Sequence, residues 1–270
     1  GYIERKNLVI EWRFADGKLE RLPDLAAELV RLKVDVIVTA GTPASKAAQK
    51  ATTAIPIVLG SNADPVGAGL VSSLARPGGN ITGLSNLVID ASPKRLELLL
   101  AMVPKVSRVA VLMQPSDSSH VAILKSVQAA AQKMGVNILP VEVRTEQEID
   151  SAFSVMAREK VGAVMVAAGG FLNQQEYQIA ELMVKRRLPS ITARAEYAEA
   201  GGLMSYADNR SETYRRVAYF VDKIFKGAKP GDLPVEQPTK FEFVINGKTA
   251  KALGITIPQS LRIRADRVIE

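Results

Sequence analysis

Val34-Asp35-Val36-Ile37-Val38-Thr39-Ala40-Gly41-Thr42-Pro43-Ala44-Ser45 is the stretch on which the fold turns. Val34 to Ala40 is a short run rich in Val and Ile, bounded by a glycine, which is the composition of a strand buried on both faces. Gly41 ends the run and lets the backbone approach a neighbour closely. Thr42 is then placed to cap a helix whose first residue is Pro43, where a missing amide costs nothing and a fixed φ helps. That helix runs to Ala51. A strand passing through a tight loop into a helix is half of a parallel β–α–β unit.

Outward from this unit the alternation repeats. Upstream, Asn7 to Arg13 reads as a strand and Leu19 to Leu32 as an amphipathic helix. Downstream, Ile55 to Gly60 and Ile81 to Leu84 read as strands. The rhythm restarts with a helix over Pro93 to Met102 and a strand over Arg108 to Met113. Helix Val121 to Met134, strand Asn137 to Val143, helix Glu146 to Glu159 and strand Gly162 to Ala167 follow. Then come helix Gln174 to Arg187, strand Ser190 to Thr192, helix Ser211 to Phe225 and strand Phe241 to Asn246. Elements of these lengths in this order predict an α/β protein with parallel sheets covered on both faces. One closed barrel would need an unbroken rhythm. Gly/Pro-rich breaks near Ala75 to Gly83 and from Lys229 to Pro238 favour two doubly wound lobes, with the chain crossing between them.

Composition narrows the chemistry. Forty-seven per cent of the 270 residues are apolar, enough for one or two cores. No apolar run approaches the roughly 18 residues of a membrane span. The chain opens at Gly1-Tyr2-Ile3-Glu4-Arg5-Lys6-Asn7, without a basic region and apolar run of a secretion signal; it reads as mid-domain sequence, with an N-terminal portion expected to be missing. Cysteine is absent and His120 is the single histidine, so neither thiolate chemistry nor a Cys/His metal site is expected. No cofactor is expected. His120 lies in the polar turn Pro115-Ser116-Asp117-Ser118-Ser119-His120 and reads as an ordinary first-turn or surface residue. The net charge of +7 comes from Lys and Arg scattered among acids, and aromatics are only 5% of the chain. That pattern is not a nucleic-acid stacking platform.

In doubly wound sheets a ligand sits beyond the carboxyl ends of the strands. Gly41, Thr42 and Pro43 stand at one such end, where a helix start offers free amides to an anion; Thr42 either serves a ligand or only caps its helix. Ser61, Asn62 and Asp64 follow the next strand, with Asp64-Pro65 reading as cap and first turn. Gln114, Ser116 and Ser118 are short polar groups after Arg108 to Met113. Gly169, Gly170 and Phe171 follow Gly162 to Ala167, either as room for a ligand ring or as a tight turn with a core phenylalanine. Tyr206 could stack on a ligand, and Asp208 could accept a hydrogen bond or cap the next helix.

Several apparent motifs dissolve on inspection. Gly67-x-Gly69 lacks the third glycine of a dinucleotide loop. Gly247-Lys248-Thr249 lacks the upstream glycine of a phosphate loop, since position 242 is Glu242. Thr145-x-x-Glu148 reads as a capping box. No serine lies in a G-x-S-x-G elbow, and no paired acid and base or metal cluster is visible. The profile suits binding without turnover.

Four stretches together carry a resemblance. They are Asp35 to Ala44; Ile55-Pro56-Ile57-Val58 with Asp64-Pro65-Val66-Gly67-Ala68-Gly69; Ser73-Leu74-Ala75-Arg76-Pro77-Gly78-Gly79-Asn80-Ile81-Thr82-Gly83; and Gly201-Gly202-Leu203-Met204-Ser205-Tyr206. With the tail from Pro238 to Gly254, they resemble the ABC-transporter substrate-binding family, whose better-known members take up aromatic amino acids such as tryptophan. The resemblance covers essentially the whole chain. It implies a type I periplasmic-binding-protein-like fold with three hinge crossings, near Asn86 to Asp90, Ser205 to Asp208 and Gln237 to Lys240. Lobe I would comprise residues 1–88 and 207–238, without its first βα unit, and lobe II residues 89–206 and 239–270. It also implies a non-enzymatic, periplasmic or extracytoplasmic protein that binds a small-molecule ligand, docks onto a membrane permease and functions as a monomer.

At one place the sequence departs from the family. Members that bind amino acids tend to have an aspartate after the strand corresponding to Gly162 to Ala167, to receive the α-ammonium, and this chain has Gly169. An ammonium left unpaired in a closed cleft costs about 1–3 kcal/mol. The expectation is therefore an aromatic or other small carboxylate without an amino group. The competing readings are a ligand-sensing domain of a signalling or transcription-regulating protein with the same fold, and an α/β enzyme such as an isomerase or racemase.

Overall fold

In the computed structural model, which describes residues 1–270, a 3-10 turn at Leu19–Arg21 leads into α1 (Leu22–Arg31). Strand β1 (Ile37–Ala40), helix α2 (Thr42–Ala51) and strands β2 (Ile57–Ser61) and β3 (Ile81–Gly83) follow. These strands form a three-stranded sheet in the order β1-β2-β3, parallel throughout. Ile57 and Leu59 of β2 pack on one side with Ile37, Ala48 and Ile81. Val58, pointing the opposite way, packs on the other side with Val217 and Phe220. β2 is thus buried on both faces, which explains its unbroken apolar run. Gly83 pairs with Leu59 at φ 125°, and a Cβ there would lie 2.4 Å from Leu59 N and O, so only glycine fits.

The second sheet takes its strands from the remaining chain. Helix α3 (Ser92–Met102) leads to β4 (Arg108–Met113), α4 (Ser118–Met134), β5 (Asn137–Glu142), α5 (Gln147–Arg158) and β6 (Ala163–Val166). Short α6 (Gly170–Gln174), α7 (Glu176–Lys185), β7 (Ser190–Thr192), α8 (Ala195–Glu199) and β8 (Met204–Asp208) come next. Helix α9 (Arg210–Phe225) returns to the first sheet and supplies the Val217 and Phe220 that cover β2. After a 3-10 turn at Pro230–Asp232, β9 (Phe241–Asn246), α10 (Gly247–Leu253), α11 (Gln259–Arg264) and β10 (Arg267–Ile269) complete the chain. The order is β10-β9-β8-β7-β6-β4-β5, parallel except for the antiparallel β8–β9 pair. Two separate sheets, each with helices against it, exclude the single barrel.

Side by side between the sheets run two further segments. Ser85 N donates to Glu236 O (2.8 Å) and Glu236 N to Gly83 O (2.9 Å).

Several local readings need correction. Asn7–Arg13 is not a strand. β1 is an edge strand, residues 7–13 make no ladder with it, and Val9 and Trp12 are exposed. Apolar residues do not make a strand when the backbone finds no partner. The helix expected over Gln174 to Arg187 is α7 (Glu176–Lys185), and a separate short helix, α6, precedes it at Gly170–Gln174. The capping box does not close at Thr145, because Glu148 Oε2 accepts from Arg144 N (2.8 Å). Asp64 caps a turn, not a helix, by accepting from Gly67 N (2.8 Å). No helix is long and apolar enough to cross a membrane.

Candidate functional site

The loops that leave β1, β2, β4, β6, β7 and β8 at their carboxyl ends open onto one cavity between the sheets, of about 2250 Å³. That exceeds the roughly 300–1,000 Å³ of an ordinary ligand pocket. The surplus arises because the cleft continues along the uncovered edge of β1, with residues from Arg5 to Gly17 as its outer wall.

The first-sheet wall is the loop from β1 into α2. Gly41, at φ 88°, is the N-cap of α2 and Thr42 its first residue, which corrects the expectation that Thr42 caps. No side chain accepts from the opening amides of α2. Beneath the loop lies a buried polar chain. Thr42 Oγ1 donates to Asn62 Oδ1 (3.5 Å), and Asn62 Nδ2 donates to Ser45 Oγ (3.3 Å). Ser45 Oγ donates to Gly41 O (3.0 Å), so Thr39 Oγ1 is the donor in its 2.8 Å bond to Ser45. Every one of these hydroxyl and amide groups serves to fix the loop. Asn86 Nδ2 donates to Ser61 Oγ (2.9 Å) and joins the same wall to the segment leaving the sheet.

The second-sheet wall begins at Asp117, the N-cap of α4, whose Oδ1 accepts from Ser119 N (2.9 Å) and Ser119 Oγ (2.6 Å). Its Oδ2 faces His120 Nε2 at 3.7 Å. His120 is fully buried, not a surface residue. Its Nδ1 accepts from Gln114 N (2.9 Å), so the neutral ring carries its proton on Nε2, which has no hydrogen-bond partner. Burial holds the imidazole below its ordinary pKa, against the opposing pull of the Asp117 carboxylate. Gly169 lies beside this pair. A Cβ at 169 would stand 2.4 Å from His120 Nε2 and 3.1 Å from Asp117 Oδ2. A carboxylate therefore stands beside Gly169, supplied by the cap of α4.

Toward the segments that run between the sheets the wall holds Arg95 and Asp208. Burial lowers the Arg95 guanidinium to a pKa of about 10. Burial raises the Asp208 carboxyl, although Thr213 Oγ1 donates to its Oδ2 at 2.9 Å. No group of three or more His, Cys, Asp or Glu side chains is placed to hold a metal ion.

Among the residues singled out from sequence, Gly41, Thr42, Pro43, Ser61, Gly169, Gly170 and Asp208 line the cavity. Asn62 and Gln114 stand behind its wall as buried supports. Asp64, Ser116 and Ser118 are exposed away from it. Phe171 is in the larger core. Tyr206 stacks on Phe241, with ring centroids 5.2 Å apart and planes at 16°. Arg95 and Asp117 escaped the sequence reading. Arg95 sits in Lys94-Arg95-Leu96-Glu97, which reads as a solvated helix face, whereas Asp117 lies in a polar strand-end loop just ahead of a helix, which is a usable signal.

A family model described as ABC transporter substrate binding protein matches residues 1–269. The chain belongs to this substrate-binding protein family. A tyrosine-binding protein of Clostridioides difficile is 28% identical over 254 residues, covering 94% of this chain and 72% of that protein. A conserved domain protein of Vibrio cholerae superposes with a TM-score of 0.93 at 29% identity, covering 99% of this chain and 89% of that one. An ABC domain from Streptococcus pneumonia in complex with L-Trp gives 0.89 at 29%, covering 97% and 90%. The substrate-binding fold is the type I periplasmic-binding-protein arrangement, α/β with parallel-dominated sheets.

Proposed function

We propose that this chain is the extracytoplasmic solute-binding component of an ABC importer, closing on a small aromatic or carboxylate-bearing molecule without changing its bonds. The observation that carries the reading is the meeting of the α2 start, Asp117, Gly169, Arg95 and Asp208 on one cavity between two sheets. Relatives described as binding tyrosine and L-Trp support the ligand class. Residues 1–88 with 207–238 form one lobe of the clamp and residues 89–206 with 239–270 the other. Thr42, Ser61 and the amides of α2 hold the ligand from the first, and the loops at Asp117 and Gly169 from the second. A ligand bridging both sides favours the closed form by its differential affinity, and the closed surface is what a membrane permease reads. The protein works as a monomer outside the cytoplasm.

Calorimetric titration tests this with L-tyrosine, L-tryptophan, 3-(4-hydroxyphenyl)propanoate and indole-3-acetate, with D-glucose as control. At least one aromatic acid should bind saturably and shrink the radius of gyration in solution scattering. A protein that bound only glucose, or that turned a bound acid into product, would refute the reading.

A further inference from the structure

Arg95 is a buried cation that forms no ion pair. It rises from the first turn of α3, 3% exposed, on the cavity wall near the segments that run between the sheets. The guanidinium donates to Val88 O, to Ser92 Oγ (2.9 Å) and to Tyr206 O (3.2 Å). All three acceptors are neutral. No carboxylate oxygen lies within 4.0 Å of it, in a chain that makes ion pairs elsewhere at 2.6 to 3.8 Å. Of its five N–H groups, the one at Nε and one at Nη1 are left without a partner.

Burying a charge without a counter-charge is unfavourable, and a guanidinium neither sheds its proton readily nor turns without breaking its bonds to the backbone. Asp208, which shares the cavity wall, accepts from Thr213 at one oxygen instead. The cation is thus held in place by neutral groups and faces the cavity with donors to spare. Its anchors matter as well. Val88 lies in the segment that leaves the first sheet for α3, and Tyr206 in β8, shortly before the chain returns to the first sheet through α9. The guanidinium thus joins the first passage to the strand that leads into the second.

We propose that Arg95 receives the carboxylate of the ligand and transmits its binding to the passage at Val88 and to β8, whose carbonyls it holds. The inference rests on the reading of the chain as a clamp for a carboxylate-bearing molecule. The acceptor completes the unspent N–H groups by a charge-assisted hydrogen bond. An uncharged isostere cannot do so equally.

The test compares 3-(4-hydroxyphenyl)propanoate with 3-(4-hydroxyphenyl)propanamide by calorimetry on the full chain. Wild type should prefer the acid by about 30-fold, as a charge-assisted bond of ordinary strength requires. Arg95→Gln should abolish that preference while moving the amide less than about threefold, and Arg95→Lys should restore part of it. Equal losses for acid and amide would show a merely structural residue and overturn the proposal, as would an unchanged preference. Should Arg95→Gln not fold, Arg95→Lys decides: it should weaken the propanoate several-fold while keeping part of the preference for the acid. An unmoved acid affinity there would overturn the proposal. If wild type binds neither compound, nor L-tyrosine, the clamp reading itself fails and takes this inference with it. A wild type that binds but an Arg95→Gln that still prefers the acid sinks only the role of Arg95.

Discussion

The imidazole of His120 fills the space into which a side chain on Gly169 would project, with Nε2 only 2.4 Å from the ideal Cβ position. His120 lies in the first turn of α4 and Gly169 at the N-cap of α6, so the glycine is required by tertiary packing and not by its own backbone, which is extended. Gly169→Ala should destabilise by about 1–3 kcal/mol, the usual cost of forcing atoms into a filled site. In a His120→Ala background the same substitution should cost much less, with only Asp117 Oδ2 (3.1 Å) still close. A double-mutant cycle by denaturant unfolding measures the difference; equal costs in both backgrounds would mean that the histidine is not what excludes the side chain.

His120 also predicts how stability follows pH. Its folded pKa lies below the ordinary value because burial disfavours the imidazolium more than Asp117 favours it. As pH falls through the ordinary histidine range, the unfolded chain takes up a proton that the folded chain refuses. Stability is therefore lost on acidification, by up to about 1.4 kcal/mol per pH unit below roughly pH 6.5. Asp208 acts in the opposite sense and at lower pH, since its raised pKa lets the folded chain take a proton first. Melting temperatures between pH 7.5 and 5.5 should fall, and His120→Asn, which can still accept from Gln114 N, should flatten the slope. A wild-type curve level across that range would count against this assignment.

What was readable in the chain follows from how local each signal is. Val34 to Ala51 announced strand, loop and helix because composition, glycine and proline act within a few residues. Asn7 to Arg13 carried similar local information and still formed no strand, because a ladder depends on a neighbour that no local pattern reports. Gly41, rather than Thr42, proved to be the cap for a related reason: Thr42 Oγ1 is engaged by Asn62, a residue that is distant in sequence. Arg95 was illegible for the same cause. Its helix reads as an ordinary amphipathic one, and only the packing of α3 against β6 and β7 buries a residue that the sequence would place in water.

Behind the second sheet, Ser190 Oγ and Tyr197 Oη share a hydrogen bond of 2.6 Å in a fully buried site. Burial pushes the Tyr197 phenol well above its ordinary pKa, which keeps the group neutral and able to donate. Tyr197→Phe would strand the Ser190 hydroxyl and should cost about 1–3 kcal/mol. Adding Ser190→Ala should recover part of the loss, since removing both partners leaves nothing unsatisfied. Additive losses in the double variant would show that the pair does not act as one unit.

Asn62 offers the sharpest separation between shaping a site and touching its ligand. It lies behind the cavity wall, buried, and links Thr42 to Ser45 across the loop that opens α2. Without it, Thr42 is free to change rotamer and the loop loses the bond that sets its height against β2. Asn62→Ala should therefore weaken the aromatic acid that binds best by about tenfold, roughly 1.4 kcal/mol, through misplacement of Thr42 and the α2 loop and not through loss of a ligand contact of its own. Titration at 10 °C and 25 °C, both below the melting transition, keeps the loss of affinity distinct from unfolding. If the variant melts earlier but binds as tightly as wild type at both temperatures, the polar chain from Thr39 to Asn62 supports the fold alone, and the placement of Thr42 does not depend on it.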